Sequence, residues 1–286
     1  MTVHIDAAFD DATKTVSYIV SDPSSGRAAI VDSVLDYDPA SGRTGTEGAD
    51  ALIAKVEAAG LTVDYILETH IHADHLSAAL YLKERLGAPI CVGDRVGVVQ
   101  ETFRDVYNLG RGFPCDGSQF DRLLADGERL ALGTLEFEVM HVPGHTPACV
   151  AYRIEDALLT GDTLFMPDFG SARCDFPGGD ARELYRSVSR ILSLPPETRL
   201  FLCHDYAPGG RDYVWETTVG EQREKNIHMR DGTTEDQFVA FREARDRTLT
   251  MPVLILPSVQ VNIRAGRMPE PDDNGTSYLK IPLNRF

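Results

Sequence analysis

The sequence lacks any apolar run that approaches the roughly 20 residues a helix needs to cross a bilayer. Its first residues include Asp6, Asp10 and Asp11, where the start of a secretory signal peptide would be basic. We therefore expect a cytoplasmic protein that has no membrane partner.

Basic residues are also scarce. The 286-residue chain has 28 lysines and arginines against 44 aspartates and glutamates, which gives a formal net charge of −16. Binding to DNA or RNA needs clustered cationic side chains that displace the counterions of the phosphates. We therefore expect no nucleic-acid partner.

Cysteines are few and scattered. There are 5 of them, an odd number, with no CxxC motif and no spacing typical of metal ligands. This pattern indicates reduced thiols in a reducing compartment and no disulfide framework. Cys174 and Cys203 lie beside residues that carry the chemistry discussed below, and for them we favour a packing role over sulfur transfer.

Metal-competent side chains, by contrast, are concentrated in residues 69–75. They are His70, His72, Asp74 and His75. Each carries a nitrogen or a carboxylate that needs a partner when buried, so packing alone does not explain the cluster. The segment predicts a metal site, and a surface histidine cluster without function is the alternative.

The flanking residues place this segment on a strand-to-helix turn. Residues 64–68 have strand character, and residues 77–86 carry apolar side chains at helical spacing that stop at Gly87. Residues two apart on a strand point the same way, so His70 and His72 can face one cavity. The other two ligands follow after the chain turns and can face that cavity from another side, around a second metal ion.

Three further apolar stretches each run into one more metal-competent side chain. The stretches are residues 135–142, 157–159 and 200–202. The side chains that follow them are His145, Asp162 and His204. Gly144 allows a close backbone approach beside the first of these. Loops at strand ends build the sites of α/β proteins, so we expect all seven side chains to converge.

In this order the seven side chains resemble the metallo-β-lactamase superfamily, and in particular its glyoxalase II-like branch. Nearly the whole chain is similar to the bacterial persulfide dioxygenases of that branch. The matching segments are residues 69–75, 143–146, 161–165, 173–176, 204–206 and 257–266.

The resemblance implies an α/β protein, with an αββα sandwich of two mixed sheets flanked by helices. Residues 1–206 would form the metal-binding core, and residues 207–286 a helical and extended carboxy-terminal cap that completes the same domain. A hydrophobic content of 43% is enough to fill such a core.

The resemblance also implies a persulfide dioxygenase that oxidises glutathione persulfide with O₂ to sulfite and glutathione. One Fe(II) ion per chain would be bound by His70, His145 and Asp162, a set typical of non-haem iron oxygenases. The remaining ligand-type residues would hold these ligands and make hydrogen bonds in the site. They are His72, Asp74, His75 and His204.

An alternative is a glyoxalase II-like hydrolase of glutathione thioesters, because all the residues of a dinuclear centre are present. A sulfur-binding sensor that kept the fold is disfavoured by the intact ligand set. Superfamily relatives often form dimers, which leaves a homodimer open.

Substrate contacts are expected from residues outside the ligand set. Arg173 would orient the substrate or support the site, and an ion pair with Asp175 or Asp180 is the alternative. Tyr206 would donate its hydroxyl to the persulfide or to glutathione, and a core tyrosine is the alternative. The resemblance implies glutathione contacts at Arg223, Asn226 and His228. Asn262 and Arg264 could line the same pocket.

Local patterns also predict secondary structure. Residues 15–20 and 27–31 read as paired strands, and Asp50 as the cap of a helix that runs to Gly60. Residues 36–48 and 107–119 read as loops or insertions. Two capping boxes are predicted, at Thr218 with Glu221 and at Thr234 with Gln237.

Overall fold

The computed structural model describes residues 2–285, and its centre is a pair of six-stranded sheets. The strands of the first sheet are β1 (His4–Asp10), β2 (Thr15–Asp22), β3 (Arg27–Val31), β6 (Thr62–Leu67), β8 (Ile90–Gly93) and β9 (Arg122–Leu124). They lie side by side in this order. The pairs β1–β2 and β2–β3 are antiparallel, and the remaining pairs are parallel, so the sheet is mixed.

The second sheet keeps the order of the chain. Its strands are β10 (Arg129–Leu132), β11 (Leu135–His141), β12 (Val150–Ile154), β13 (Ala157–Leu159), β14 (Arg199–Phe201) and β15 (Glu216–Thr218). Only the pair β13–β14 is parallel among these strands. A third, small sheet is formed by β4 (Val34–Asp38), β5 (Arg43–Gly45) and β7 (Leu76–Ser77).

Helices cover the outer face of each large sheet. Those on the first sheet are α1 (Glu47–Ala58), α2 (Ala79–Leu86), α3 (Val96–Val106) and α7 (Ile255–Asn262). Those on the second are α4 (Ala181–Leu192), α5 (Val219–Lys225) and α6 (Glu235–Asp246). Alternate residues of the strands point to opposite faces, so each sheet contributes to a helix-facing cluster and to the cluster between the sheets. The expected αββα sandwich is confirmed.

Several local predictions are confirmed. The strands β2 and β3 pair antiparallel, and α2 ends at Gly87 in the left-handed conformation that glycine tolerates. The Thr234 capping box is complete. At α5 only half of the box is present, because the Thr218 hydroxyl accepts from the amide of Glu221 while the Glu221 carboxylate accepts from the neighbouring Thr217 hydroxyl.

Two local predictions are wrong. Residues 36–48 do not form a loop, because β4 and β5 pair there as a hairpin whose turn is stabilised by Asp38 accepting from the amide of Ala40. The following helix begins at Glu47, three residues before Asp50. The Asp50 carboxylate instead accepts from the hydroxyls of Tyr81 and Thr46, so it does not cap the helix.

The carboxy-terminal residues join the layers already described. The strand β15 extends the second sheet, α6 packs against α4, and α7 packs on β7 and enters the apolar cluster under the first sheet. Among residues 2–285 no helix has both the length and the apolar character that a membrane span requires.

Candidate metal centre

The seven ligand-type side chains converge at one edge of the sandwich, where the strands end. Residues 70–75 follow β6, His145 follows β11, Asp162 lies in a short 3-10 turn after β13, and His204 follows β14. Six of the seven are buried, and Asp74 is half-buried. The fold therefore brings these seven side chains together, as the sequence predicts.

Three of these side chains form a compact group. The nearest ligand atoms of His70, His145 and Asp162 all lie within 4.8 Å of one another. The Nε2 atoms of both histidines are 3.8 Å from Oδ2 of Asp162. Two atoms that each lie about 2 Å from a shared ion are at most about 4 Å apart, and both 3.8 Å separations fall within that limit.

A second group lies beside the first. It contains His72, Asp74 and His75, whose ligand atoms also lie within 4.8 Å of one another. The His204 Nε2 atom is 3.2 Å from Asp74 Oδ2 and 3.4 Å from Asp162 Oδ1. His204 therefore lies between Asp162 of the first group and Asp74 of the second.

Several buried ligand atoms in this cluster have no hydrogen-bond partner. They are His70 Nε2, His72 Nδ1, His75 Nε2, His204 Nε2 and Asp162 Oδ1. A buried polar atom without a partner is costly, and imidazoles with carboxylates are the donors that iron and zinc accept. Burial also lowers the pKa of His70 well below its usual value, which favours the neutral, ligating form. The residues present thus fit a bound metal ion.

The main chain fixes two of the histidine rings. The Nδ1 atom of His145 donates to the carbonyl of Arg173 (2.9 Å), and that of His204 donates to the carbonyl of Lys14 (3.0 Å). Each bond sets the tautomer that leaves Nε2 free and directs it into the cluster. Gly144 allows the approach beside His145, since a Cβ there would overlap the backbone of Leu184.

Two carboxylates behind His72 were not found from the sequence. The Nε2 atom of His72 lies 3.0 Å from Asp32 and 3.2 Å from Glu68, and its Nδ1 faces the cluster. Although burial opposes it, Asp32 and then Glu68 raise the pKa of His72 well above its usual value. A signal for Asp32 was available, because it directly follows β3 just as the ligands follow their strands.

Asn262 links α7 to the ligand segment. Its Nδ2 donates to the carbonyls of His72 (2.9 Å) and His75 (2.8 Å), and its Oδ1 accepts from the amide of Ser77 (2.8 Å). The side chain is buried, so all three bonds lie out of solvent. Asn262 therefore holds the main chain of the metal loop, and its amide is fully engaged there.

The cluster opens into a cavity of about 700 Å³. Asp74, His145 and Asp162 lie at its floor, and its sides are largely aromatic and apolar. These side chains include Phe165, Phe169, Phe176, Tyr206, Phe241, Leu249, Met251 and Val253. This size and character suit a small-molecule substrate.

Three of the predicted substrate contacts line this cavity, namely Arg173, Tyr206 and His228. Both oxygens of Asp175 bind the Arg173 guanidinium at 2.6 Å, so the ion-pair alternative is what the structure contains. The phenol of Tyr206 is 41% exposed in the cavity, and its ring stacks on that of His204.

His228 is uncharged at neutral pH in this environment. Its Nδ1 accepts from the amide of Ser171 (2.9 Å), and burial, followed by the charges of Arg242 and Arg245, lowers its pKa to about 4. The structure therefore places a neutral imidazole where the sequence predicted a contact for glutathione, so His228 offers no positive charge to a carboxylate.

The other predicted contacts do not line the cavity. They are Arg223, Asn226, Asn262 and Arg264. Arg223 pairs with Asp231 in a separate surface depression. The amide of buried Asn226 donates to Gly170, and Arg264 packs over the ring of Phe113. The structure thus does not bring these four residues to the cavity, and their substrate contacts stay predictions.

A four-layer α/β sandwich with histidines and aspartates converging from four strand ends defines a class of metal-dependent enzymes. The chain belongs to the metallo-beta-lactamase superfamily, whose family model matches residues 11–204.

Relatives similar to nearly the whole chain have names of hydrolase type. A probable metallo-hydrolase of Burkholderia pseudomallei (strain 1710b) is 59% identical over 98% of this chain and 99% of its own length. Glyoxylase B2 of Dictyostelium discoideum is 51% identical over 94% of this chain and 93% of its own. A beta-lactamase hydrolase-like protein of Agrobacterium fabrum (strain C58 / ATCC 33970) is 54% identical over 98% of this chain, which spans 65% of that longer protein.

Similarity to a dioxygenase comes from sequence and structure together. The mitochondrial persulfide dioxygenase ETHE1 of Homo sapiens is 30% identical over 69% of this chain and 66% of its own length. The crystal structure of ETHE1 from Myxococcus xanthus matches with a TM-score of 0.73 and 28% identity, covering 93% of this chain and 100% of that one.

Proposed function

We propose that the protein is a persulfide dioxygenase. It oxidises glutathione persulfide with O₂ to sulfite and glutathione, at one Fe(II) ion held by His70, His145 and Asp162. The observation that carries this proposal is the compact group of two imidazoles and one carboxylate, of which His145 and Asp162 line the cavity floor. This donor set is the one that non-haem iron oxygenases use.

The overall reaction defines what the site must accommodate. One persulfide, one O₂ and one water give one thiol, one sulfite and two protons, so the terminal sulfur is oxidised and O₂ is reduced. An Fe(II) ion bound to two histidines and one carboxylate would exchange electrons with O₂ and would keep open coordination positions for the reactants. Zinc has no redox chemistry and could not take this role.

The residues of the chain position the reactants. The carbonyls of Arg173 and Lys14 keep the rings of His145 and His204 aimed inward. The aromatic side chains around the floor exclude water from the reacting sulfur. Tyr206 lines the cavity, and its hydroxyl would donate a hydrogen bond to the persulfide or to the thiol that leaves.

Similarity supports the proposal without deciding it. The whole of the Myxococcus xanthus ETHE1 chain aligns with 93% of this one. Two relatives with higher identity, those of Burkholderia pseudomallei and Agrobacterium fabrum, have hydrolase in their names.

The alternative is a dinuclear hydrolase of glutathione thioesters. A specific observation favours it: the second group of His72, Asp74 and His75 lies beside the first, and His204 contacts a carboxylate of each. Two Zn²⁺ ions there would supply a bound hydroxide and Lewis acidity for thioester cleavage.

One experiment separates the two proposals. The protein is purified without oxygen, its metals are counted, and it is assayed for O₂ uptake with glutathione persulfide and for cleavage of lactoylglutathione. One iron per chain with O₂ uptake and sulfite release is expected. Two zinc ions with thioester cleavage and no O₂ uptake would instead establish the hydrolase.

A further inference from the structure

Most of the cationic side chains at the cavity are already neutralised. Three arginines line it: Arg173, Arg242 and Arg245. Arg173 is bound by both oxygens of Asp175. The guanidinium of Arg242 is buried and paired with Asp246 at 2.6 Å, and it also donates to the carbonyl of Ser171.

Arg245 differs from these two. Its side chain is exposed at the cavity mouth, and within residues 2–285 it forms no ion pair with a carboxylate. Its hydrogen bond goes to the neutral hydroxyl of Thr248, at 3.3 Å. The exposed acid of the cavity, Asp168, is itself bound by Arg211 through both oxygens. The positive charge of Arg245 is therefore the one left unpaired on this surface.

An unpaired cation here has a consequence for substrate binding. The chain carries a formal charge of −16, which repels an anionic substrate from a distance. A local positive charge at the cavity mouth offsets that repulsion where the substrate enters. Phe241 lies one helical turn before Arg245 on α6 and also lines the cavity, so an apolar surface and a cation lie side by side.

We propose that Arg245 binds a carboxylate of the substrate's thiol body and thereby selects anionic substrates. This inference rests on the proposed function for the reacting group, the persulfide. It does not rest on it for the binding of the rest of the thiol molecule. A guanidinium binds a carboxylate through two parallel hydrogen bonds, which fixes orientation as well as charge. With one carboxylate at the mouth, the apolar part of the body lies along Phe241 and Val253 while the sulfur reaches the floor.

The test removes the charge of Arg245 and compares the effect on two substrates. Arg245→Gln is assayed with glutathione persulfide and with the persulfide of glutathione diethyl ester, which has no free carboxylate. We expect kcat/KM for glutathione persulfide to fall by about 10- to 100-fold, mainly through KM, because a hydrogen bond to a charged group is lost. The ester should react with the wild-type protein and the variant alike, within about 2-fold.

The matched control is Arg247→Gln. Arg247 is also exposed and lies two residues further along, but it does not line this cavity. The control removes the same charge, so it should leave both substrates unchanged within about 2-fold. Equal losses on the two substrates, or a loss for the control as large as for Arg245→Gln, would overturn the assignment.

A binding measurement keeps this inference separate from the proposed function. The dissociation constant of glutathione itself is measured by calorimetry on the metal-loaded protein. We expect the dissociation constant to be about 10-fold higher, or more, for Arg245→Gln than for the wild type. If O₂ uptake is absent but this weakening is present, the dioxygenase proposal fails and the role of Arg245 stands. If O₂ uptake is present and glutathione binds both proteins equally, the dioxygenase proposal stands and the role of Arg245 fails.

Discussion

The floor and the wall of the cavity are built by different means. The floor is the ligand cluster at the strand ends, where buried imidazoles such as those of His145 and His204 are tied to main-chain carbonyls. The wall lies in residues 241–253, where the exposed side chains that line the cavity include Phe241 and Val253, 44% and 86% accessible. The reacting centre is therefore fixed by the sandwich itself, whereas the substrate body meets side chains that are free to adjust.

This difference indicates how function can change in such a fold. Floor atoms are buried and lack alternative partners, so a substitution there affects metal binding or folding directly. A substitution of an exposed wall residue, by contrast, should change which molecules bind and leave the metal cluster unaffected. The four changes below test this division, three of them in the floor and one at its junction with the wall.

The largest effect is expected for Asp162→Ala. The Asp162 carboxylate lies near His70, His145 and His204, so its removal takes away the one carboxylate of the first ligand group. We expect loss of metal and a large fall in O₂ uptake. The fall should exceed the about 10- to 100-fold that is typical when a residue hydrogen-bonded to a metal ligand is removed. Metal content per chain and initial rates measure it.

The matched control is Asp168→Ala, which removes another cavity carboxylate. Asp168 pairs with Arg211 and lies outside both ligand groups, so this variant should keep its metal. Full metal content in Asp162→Ala would refute the assignment of the floor.

The next effect is expected for Asn262→Ala. This change leaves two carbonyls and one amide of the metal loop without their partner. We expect metal affinity to fall by about 10- to 100-fold. The free energy of unfolding should fall by about 2–4 kcal/mol. A chelator challenge and denaturant unfolding measure the two quantities.

Gln260→Ala separates the two consequences. Gln260 is also buried on α7, but its amide bonds the main chain of Leu256 and Lys280, away from the metal loop. It should lower stability while leaving the rate of metal loss unchanged. Equal metal loss in both variants would mean that α7 acts on the site only through general stability.

A smaller effect is expected for Gly144→Ala. The backbone of Gly144 has a φ of +134°, and a Cβ there would overlap the main chain of Leu184. We expect the free energy of unfolding to fall by about 1–3 kcal/mol, because α4 must move away from the loop that carries His145. Thermal or denaturant unfolding measures it.

Gly112→Ala is the comparison for that change. No atom lies within 4 Å of a Cβ built on Gly112, and its φ is not positive. Its stability should stay within about 0.5 kcal/mol of the wild type. A Gly144→Ala protein as stable as Gly112→Ala would mean that the loop and α4 can separate freely.

The same division explains what the sequence could predict. The ligands of the floor follow apolar stretches directly, so periodicity together with residue type locates all seven of them. The sandwich follows from the same stretches and from the resemblance. The contacts of Asn262 could not be found in this way, because the partners lie 185 to 190 residues apart and no local pattern connects them.

The wall was predicted less well for a related reason. Whether an arginine faces substrate depends on which carboxylates the fold brings to it. Arg173 meets Asp175, which is close in sequence and was foreseen as an alternative. Arg223 meets Asp231 outside the cavity, and the unpaired Arg245 carries no signal that separates it from other helical arginines.

The smallest effect concerns His228, where the floor meets the wall. Its folded pKa is about 4, below the ordinary value of 6.5, because burial and the charges of Arg242 and Arg245 disfavour the protonated ring. The unfolded chain therefore binds more protons between these values, so stability rises with pH across this window. We expect about 1–2 kcal/mol of stability to be lost as the pH falls from about 6.5 to about 4, after allowance for partial exposure.

His228→Asn removes this titration while keeping an acceptor near the amide of Ser171, which now bonds the ring nitrogen. Denaturant unfolding of both proteins at a series of pH values between 4 and 7 measures the difference in slope. The variant should lose less stability than the wild type on acidification, whereas carboxylates elsewhere affect both proteins equally. Parallel curves would show that His228 is protonated as readily in the folded protein as in the unfolded chain, and the wall would then be open to solvent at this position.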